Sequence, residues 1–225
     1  MTGYAATRDR VEHYFDRTAT AAWDRLTSDA PVSGIRATVR AGRDRMRAAM
    51  LAELPADLSG ARVLDAGCGT GVMAVELARR GAEVVAVDIS PALIAIARDR
   101  APRDLPIRWE AGDMLDPRLG RFDHIVAMDS MIYYSARDIA GLLQRAAPRL
   151  VGRFVFTLAP RTPALMAMWQ VGRLFPRADR SPTMVPHRAA DIRAALGGRG
   201  HLRDAARIRS GFYISQAFVF LGAAP

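Results

Sequence analysis

The chain contains no lysine, and it has few of the residues that build disulfides and metal sites. Its single cysteine, Cys68, excludes an internal disulfide, and its four histidines are scattered without the spacing of metal ligands. No apolar run approaches the roughly 20 residues that a membrane-spanning helix needs, and the N-terminal residues lack the pattern of a secretory signal. We therefore expect a cytoplasmic protein that binds no metal ion of its own.

Arginine carries the whole positive charge of the chain. With 32 basic and 23 acidic residues, the formal net charge is +9. Such a charge favours an anionic partner, such as a nucleic acid, a membrane surface or an acidic small molecule. The alternative explanation of the positive charge is that the arginines are spread over helix faces as a solvated surface. The composition leaves both open.

Short apolar segments alternate with amphipathic ones from residue 62 onward, which is typical of a parallel sheet covered by helices. The predicted strands are residues 62–65, 83–88, 107–111, 122–128, 153–158, 204–209 and 212–221. Helices are predicted at residues 72–80, 91–100, 137–150 and 189–196. The short connection around Gly211 favours an antiparallel hairpin for the last two strands. The pattern predicts an α/β protein with a doubly wound, mostly parallel, seven-stranded Rossmann-like sheet over residues 61–225.

Residues 1–60 lack this alternation and are expected to be helical. Apolar residues recur three or four positions apart from Val11 to Leu26, and again from Ile35 to Leu54. We expect this region to form a helical lid or arm beside the sheet.

A glycine-rich loop, VLDAGCGTG at residues 63–71, joins the first predicted strand to the first helix after it. Gly67, Gly69 and Gly71 let the chain turn tightly and bring bare backbone close to a ligand. Dinucleotide-binding loops use the spacing G-x-G-x-x-G to hold a diphosphate, whereas this loop has G-x-G-x-G preceded by Asp65. An acid there repels a diphosphate and suits an ammonium-bearing ligand such as S-adenosylmethionine. The loop resembles the first motif of class I methyltransferases.

Further acidic residues follow the next three predicted strands. Asp88 and Ile89 end the second strand, where the doubly wound fold places a carboxylate against ribose hydroxyls. The resemblance implies that residues after the third strand recognise adenine and that residues after the fourth strand border the methyl-donor pocket. The residues concerned are Gly112, Asp113 and Met114 after the third strand, and Asp129 and Ser130 after the fourth. Singly, such acids are usually helix caps or turn residues, so the inference depends on their position at one edge of the sheet.

Segments far from the glycine loop narrow the resemblance to one family. They are RVEHYFDRTATAAWDRL, RRGAEVVAVDIS, GDMLDP, VAMDSMIYY, LFPRADRSPTMVPH and RSGFYIS. Over about residues 4–220 the chain resembles the magnesium-protoporphyrin IX O-methyltransferases of bacteriochlorophyll synthesis. The resemblance implies methyl transfer from S-adenosylmethionine to a propionate of magnesium protoporphyrin IX, with S-adenosylhomocysteine as the second product. Magnesium then enters only as part of the substrate.

The resemblance also suggests which residues act on the acceptor. Tyr14 is expected to orient the carboxylate, with His13 and Phe15 beside it at the cofactor mouth, although Tyr14 and Phe15 also suit a packing role. Tyr133 and Tyr134 follow the fourth strand, and a phenol from either can hydrogen-bond the propionate. Plant and cyanobacterial relatives have Ile-His-Tyr where this chain has Ile-Tyr-Tyr. The resemblance therefore carries no obligatory acid–base residue to Tyr133.

An insert at about residues 160–186, rich in Met, Trp and Pro, is expected to form an apolar wall for the macrocycle. Trp169, Arg173 and Arg177 lie in it, and the arginines suit a second propionate. Covering the sheet edge is the alternative role of this segment. The family further suggests delivery of the substrate by the porphyrin-binding subunit of magnesium chelatase. The apolar surface suggests peripheral contact with the photosynthetic membrane.

Two other functions remain open from the sequence. One is methylation of another small hydrophobic acceptor, such as a quinone precursor, and the other is RNA binding by a basic module that holds the cofactor. The segment after the fourth strand, MDSMIYYS, lacks the Asn-Pro-Pro-Tyr or Asp-Pro-Pro-Tyr motif of methyltransferases that act on nucleic-acid amino groups. We therefore expect no nucleic-acid partner.

Overall fold

The computed structural model describes residues 3–16, 34–163, 165–166 and 184–222, apart from the side chain of Ile35. Its strands are β1 (Arg62–Ala66), β2 (Glu83–Asp88), β3 (Ile107–Ala111), β4 (His124–Ala127), β5 (Phe154–Leu158), β6 (His201–Ser210) and β7 (Tyr213–Leu221). They form one seven-stranded sheet in the order β3-β2-β1-β4-β5-β7-β6. Strands β1 to β5 are parallel, and β7 pairs antiparallel with β5 and β6. The predicted doubly wound sheet and its terminal hairpin are confirmed.

Six α-helices flank the sheet in the described part of the chain. They are α1 (Tyr4–Tyr14), α2 (Gly34–Leu51), α3 (Val72–Arg79), α4 (Pro91–Arg100), α5 (Ala136–Ala146) and α6 (Ala189–Leu196). The side chain of Ser90 accepts a hydrogen bond from the backbone N–H of Leu93 at 3.3 Å, and this cap fixes the start of α4. The predicted helical stretch at residues 17–26 lies outside the described residues. Within the described ranges, no helix combines the length and apolar composition that crossing a bilayer requires.

Three elements have a boundary that differs from the sequence prediction by more than one residue. Helix α5 ends at Ala146 rather than at residue 150, because Pro148 lies in a 3₁₀ turn that follows it. Strand β4 is shorter than the predicted 122–128. Strand β6 begins at His201 rather than at residue 204, since His201 still pairs with Leu221 of the neighbouring strand.

Apolar side chains fill both faces of the sheet. Leu64 and Val85 belong to one buried cluster, with residues of α5 and α6, whereas Val63 and Val84 belong to another, with residues of α2, α3 and α4. Neighbouring residues of a strand point to opposite faces, so each parallel strand contributes to both clusters. The strand order reverses between β1 and β4. The crevice beyond the carboxyl ends of these two strands is therefore the expected ligand site.

Candidate active site

A cavity of about 640 Å³, counting the part open to solvent, lies at the carboxyl edge of the parallel strands. The loops after β1 to β4 form its floor, and α1 contributes to its opposite wall. Most of the cofactor residues predicted from the sequence line it. They are Gly67, Gly69, Asp88, Ile89, Gly112, Asp113, Met114, Asp129 and Ser130.

The glycine loop is anchored to the neighbouring strand and to the loop after β4. The backbone N–H groups of Gly67 and Cys68 both donate to the carbonyl oxygen of Val87, at 2.7 and 3.0 Å. A Cβ on Gly67 would lie 2.3 Å from Cβ of Ser130, and the φ angle of Gly67 is +79°. Only glycine fits this position, because a side chain would meet both backbone strain and a steric clash. Cys68 is buried in the tight turn.

Gly71 has a different role from the one predicted. It does not line the cavity; it is the N-cap residue of α3, with φ of +84°, and a Cβ there would lie 2.5 Å from the Trp109 ring. Its absent side chain therefore allows the loop and α3 to pack closely against β3. The prediction that Gly71 contacts the cofactor has no support from this geometry.

Asp65 is buried within β1 and does not line the cavity either. Its Oδ2 atom has no hydrogen-bond partner among the described residues. Burial, and next the nearby charge of Asp88, raise the pKa of Asp65 to about 8. A buried carboxyl oxygen without a partner at the base of a glycine loop fits a cationic ligand above it, which is the chemistry of S-adenosylmethionine. The direct contact between Asp65 and an ammonium group stays a prediction.

Asp88 reaches the cavity from the end of β2. Its Oδ2 accepts a hydrogen bond of 2.8 Å from the backbone N–H of Gly69, and its Oδ1 accepts one of 3.0 Å from that of Ser90. Burial raises the pKa of Asp88 to about 6, although these two backbone donors favour its charged form. The Asp88 carboxylate is therefore held in a fixed orientation between the two loops. A group that binds ligand hydroxyls needs such a fixed orientation.

Helix α1 is attached to the loop after β3. The hydroxyl of Tyr4 donates to Oδ1 of Asp113 at 2.7 Å, and Arg8 donates to Oδ2 of the same residue at 3.1 Å. The Tyr4 ring also stacks on Tyr134, with ring centroids 5.1 Å apart. Tyr4, Arg8 and Val11 also line the cavity, and they are not among the site residues predicted from the sequence. Their spacing with Phe15 follows one helical face, and that signal was available in the sequence.

Only some of the residues predicted to contact the acceptor line the first cavity. Phe15, Tyr133 and Tyr134 line the first cavity, and Tyr134 is buried. His13 is exposed, and neither it nor Tyr14 lines either of the two cavities described here. Contact of either residue with the bound acceptor stays a prediction. The predicted acceptor residues Trp169, Arg173 and Arg177 lie outside the described residues.

A second cavity, of about 790 Å³ with its open part, shares Asp129 and Tyr133 with the first. The rest of its lining is mainly apolar. The other lining residues are Val39, Arg43, Ile132, Ala159, Leu165, Met184, Phe212, Tyr213, Ile214 and Ser215. The sequence analysis did not find Arg43 or Tyr213, because α2 and β7 are far apart in the chain and no local pattern connects them.

The comparisons with known proteins agree with the geometry. Residues 127–221 match the family model "Magnesium-protoporphyrin IX methyltransferase C-terminus", and residues 63–151 match a methyltransferase domain model. A magnesium-protoporphyrin O-methyltransferase from Rhodobacter capsulatus is 56% identical, over 96% of this chain and 97% of the relative. The one from Synechocystis is 30% identical over 84% of this chain and 85% of the relative.

A solved structure extends the similarity to three dimensions. The crystal structure of magnesium protoporphyrin IX methyltransferase from Synechocystis with bound S-adenosylhomocysteine has a TM-score of 0.80 and 26% identity. The match covers 96% of this chain and 100% of that one. These findings confirm the resemblance seen in the sequence. The chain therefore belongs to the magnesium-protoporphyrin O-methyltransferase family of S-adenosylmethionine-dependent methyltransferases.

Proposed function

We propose that this chain transfers a methyl group from S-adenosylmethionine to a propionate oxygen of magnesium protoporphyrin IX, giving the monomethyl ester and S-adenosylhomocysteine. The observation that carries the proposal is the pair of cavities that meet at Asp129 and Tyr133. One cavity has the glycine loop and acids of a donor site, and the other has room for a large apolar acceptor. The family of the chain supplies the identity of that acceptor.

The donor cavity offers a distinct group to each part of S-adenosylmethionine. Asp88 is positioned to accept hydrogen bonds from ribose hydroxyls, and the loop after β3, with Gly112 to Met114, borders the space for adenine. Asp129 and Ser130 border the end nearest the second cavity. When bound, S-adenosylmethionine supplies a methyl group activated by its sulfonium charge.

The acceptor requires little acid–base catalysis. A propionate has an ordinary pKa near 4, so it is ionised at neutral pH and attacks without a general base. The residues need only align the carboxylate with the methyl group and exclude water. Tyr133 lines both cavities, and this position supports the prediction that its phenol donates a hydrogen bond to the propionate. Tyr134 is instead stacked on Tyr4, so we assign it to the support of α1.

A closed site favours the reaction because the charges of the sulfonium and the carboxylate both disappear in the transition state. Helix α1 already supplies Tyr4, Arg8, Val11 and Phe15 to the donor cavity wall. We propose that residues 1–60 act as the lid of a methyltransferase domain formed by residues 61–225. The roles of Tyr14 and His13 in this lid, and of the insert at 160–186 as a porphyrin wall, stay predictions.

Delivery of a poorly soluble porphyrin is a further part of the proposal. The net charge of +9 suits either an anionic membrane surface or an acidic protein surface. Transfer from the porphyrin-binding subunit of magnesium chelatase, a cytoplasmic location and peripheral contact with the photosynthetic membrane all stay predictions.

Mass spectrometry of the reaction product tests the proposal. The purified protein is incubated with S-adenosylmethionine and magnesium protoporphyrin IX, and a porphyrin heavier by one methyl group is expected. Metal-free protoporphyrin and a phenolic quinone precursor serve as competing acceptors. Methylation of the phenol in preference to the porphyrin, or cofactor binding without any methylated porphyrin, would refute the assignment of the acceptor.

A further inference from the structure

A polar cluster lies where the two cavities meet, and the donor site does not account for it. Nη1 of Arg43, on α2, forms an ion pair with Oδ2 of Asp129. The hydroxyl groups of Thr157 and Tyr213 donate to Oδ1 of Asp129, at 3.0 and 3.2 Å. The exposed fractions of the Arg43 and Asp129 side chains are 17% and 8%. Three separate elements therefore converge on one carboxylate.

The backbone of Asp129 is held in an unusual conformation. Its φ angle is +57°, and it is the only non-glycine residue with a positive φ in the part of the chain that the structure describes. Such a conformation is unfavourable for a residue with a side chain, and it persists where surrounding contacts enforce it. A hydrogen bond of 2.7 Å from the backbone N–H of Asp129 to Oγ1 of Thr157 is one of those contacts. In this conformation the Asp129 carboxylate contacts both Arg43 and Tyr213.

Arg43 and Asp129 differ in the cavities that they line. Asp129 lines both, whereas Arg43 lines only the second, where most neighbouring groups are apolar. A guanidinium group in such a wall is a strong site for a carboxylate, because its planar fork donates two parallel hydrogen bonds. Nη1 of Arg43 donates to Asp129, and the five N–H donors of a guanidinium can serve more than one carboxylate.

We propose that Arg43 binds the acceptor propionate that is not methylated, with Asp129 as the residue that positions the guanidinium. The inference rests on the proposed function and deepens it by naming the residue that recognises the second carboxylate. The reacting propionate must approach the donor cavity, which Arg43 does not line. A carboxylate tied to Arg43 would also be a weaker nucleophile, so the bound propionate is the retained one.

The other members of the cluster keep this arrangement stable when the acceptor enters. A second carboxylate beside Asp129 would be repelled unless cations and hydrogen-bond donors separate the two charges. Tyr213 and Thr157 keep donating to Asp129 while Arg43 shares its charge with the propionate. Burial and the charge of Asp129 raise the pKa of Tyr213, so its phenol stays protonated and remains a donor.

Titration with three porphyrins tests the proposal. Magnesium protoporphyrin IX has two free carboxylates, its enzymatic monomethyl ester has only the retained one, and its dimethyl ester has none. Binding to the full-length protein is followed by the porphyrin absorbance change in one detergent. For Arg43→Met we expect about tenfold weaker binding of the diacid and the monoester, and an unchanged affinity for the diester. Arg43→Lys should recover part of the loss.

Arg45→Met is the matched control, since Arg45 lies on the same helix, is exposed and lines neither cavity. An equal loss of affinity for all three porphyrins with Arg43→Met would mean a structural role and overturn the proposal. A loss confined to the diacid would place Arg43 on the reacting propionate and also overturn it. Failure of the unaltered protein to bind any of the three would refute the acceptor assignment itself, and the inference with it.

Discussion

The hydroxyl of Tyr4 donates a hydrogen bond of 2.7 Å to Oδ1 of Asp113, and this contact attaches the start of α1 to the loop after β3. Arg145 lies over the Tyr4 ring, with its guanidinium carbon 4.7 Å from the ring centre. Burial also raises the pKa of Tyr4, so its phenol remains a donor at neutral pH. The donor cavity is thus closed on one side by a helix with specific polar attachments, and cofactor exchange must compete with them.

Tyr4→Phe removes the hydroxyl and keeps the ring that stacks on Tyr134. One lost hydrogen bond corresponds to about 0.5–1.5 kcal/mol, so we expect S-adenosylhomocysteine to dissociate roughly 2–10 times faster. Stopped-flow measurement of the dissociation rate checks this. Glu12→Gln is the control, because Glu12 lies on the same helix and lines neither cavity. Equal dissociation rates for Tyr4→Phe and the unaltered protein would show that α1 does not retain the cofactor.

The sequence predicted most of the residues that line the first cavity but few of those that line the second. Asp88, Asp113 and Asp129 each follow a parallel strand, and the geometry of such sheets brings those strand ends together. Their neighbours across the cavities were not predictable in this way. Arg43 and Tyr213 meet Asp129 only because α2 packs against β6 and β7, and that packing depends on tertiary contacts without a local sequence signal.

The same distinction explains why some predicted site residues lie outside the cavity lining. Asp65 and Gly71 belong to the recognisable motif, yet one is buried in β1 and the other packs against Trp109. A motif specifies which residues a loop requires, and it does not separate those that contact the ligand from those that shape the loop. The resemblance indicates Tyr14 at the cofactor mouth, whereas the cavity is lined by Tyr4 and Arg8 of α1 and by Phe15 just after it.

Asp88→Asn tests the donor site. The change removes the charge of a carboxylate that accepts hydrogen bonds from the backbone of Gly69 and Ser90, and it replaces one acceptor oxygen by an amide donor. We expect S-adenosylmethionine to bind at least about tenfold more weakly, because hydrogen bonds to charged groups contribute about 1.5–3 kcal/mol. Calorimetric titration measures the affinity. Asp104→Asn, at an exposed position, should leave it unchanged. An affinity of Asp88→Asn within twofold of the original would exclude a direct contact.

The buried carboxyl of Asp65 should make stability depend on pH. Its pKa is raised to about 8 by burial, so between about pH 4 and pH 8 the native state holds a proton that the unfolded chain has lost. The free energy of unfolding of the ligand-free protein should therefore fall as pH rises through this window. Asp88, with its pKa raised to about 6, acts in the same direction over the lower part of the window.

Asp65→Asn should flatten this dependence, since the amide does not titrate. The slope that one proton produces is at most about 1.4 kcal/mol per pH unit, and the variant should lose much of it. Urea denaturation at about pH 5 and pH 8 gives the two free energies of unfolding. Asp104→Asn should retain the original slope. A variant at Asp65 with an unaltered pH slope would mean that this carboxyl is ionised in the native state throughout the range.

Two glycine-to-alanine substitutions should change stability in opposite directions. Gly67→Ala forces a residue with a side chain to adopt a φ angle of +79° and places its Cβ 2.3 Å from that of Ser130. The backbone strain alone costs about 1–3 kcal/mol, and displacement of the loop should also weaken cofactor binding. Gly141→Ala, in the interior of α5, meets no atom within 4 Å and should raise the free energy of unfolding by about 0.5–1 kcal/mol.

Denaturation and cofactor titration measure the effects of both substitutions. Two causes can destabilise Gly67→Ala, the clash with Ser130 and the strained φ angle. The same measurements on a double variant distinguish them. Removing the Ser130 side chain in Gly67→Ala/Ser130→Gly should relieve the clash and leave the backbone strain. The free energy of unfolding of the double variant should still lie below that of Ser130→Gly alone. This difference should be smaller than the one between Gly67→Ala and the unaltered protein. Full recovery would assign the whole effect to the contact with Ser130, and no recovery would assign it to the φ angle. Unchanged stability and affinity in Gly67→Ala itself would mean that the loop does not need a glycine at this position.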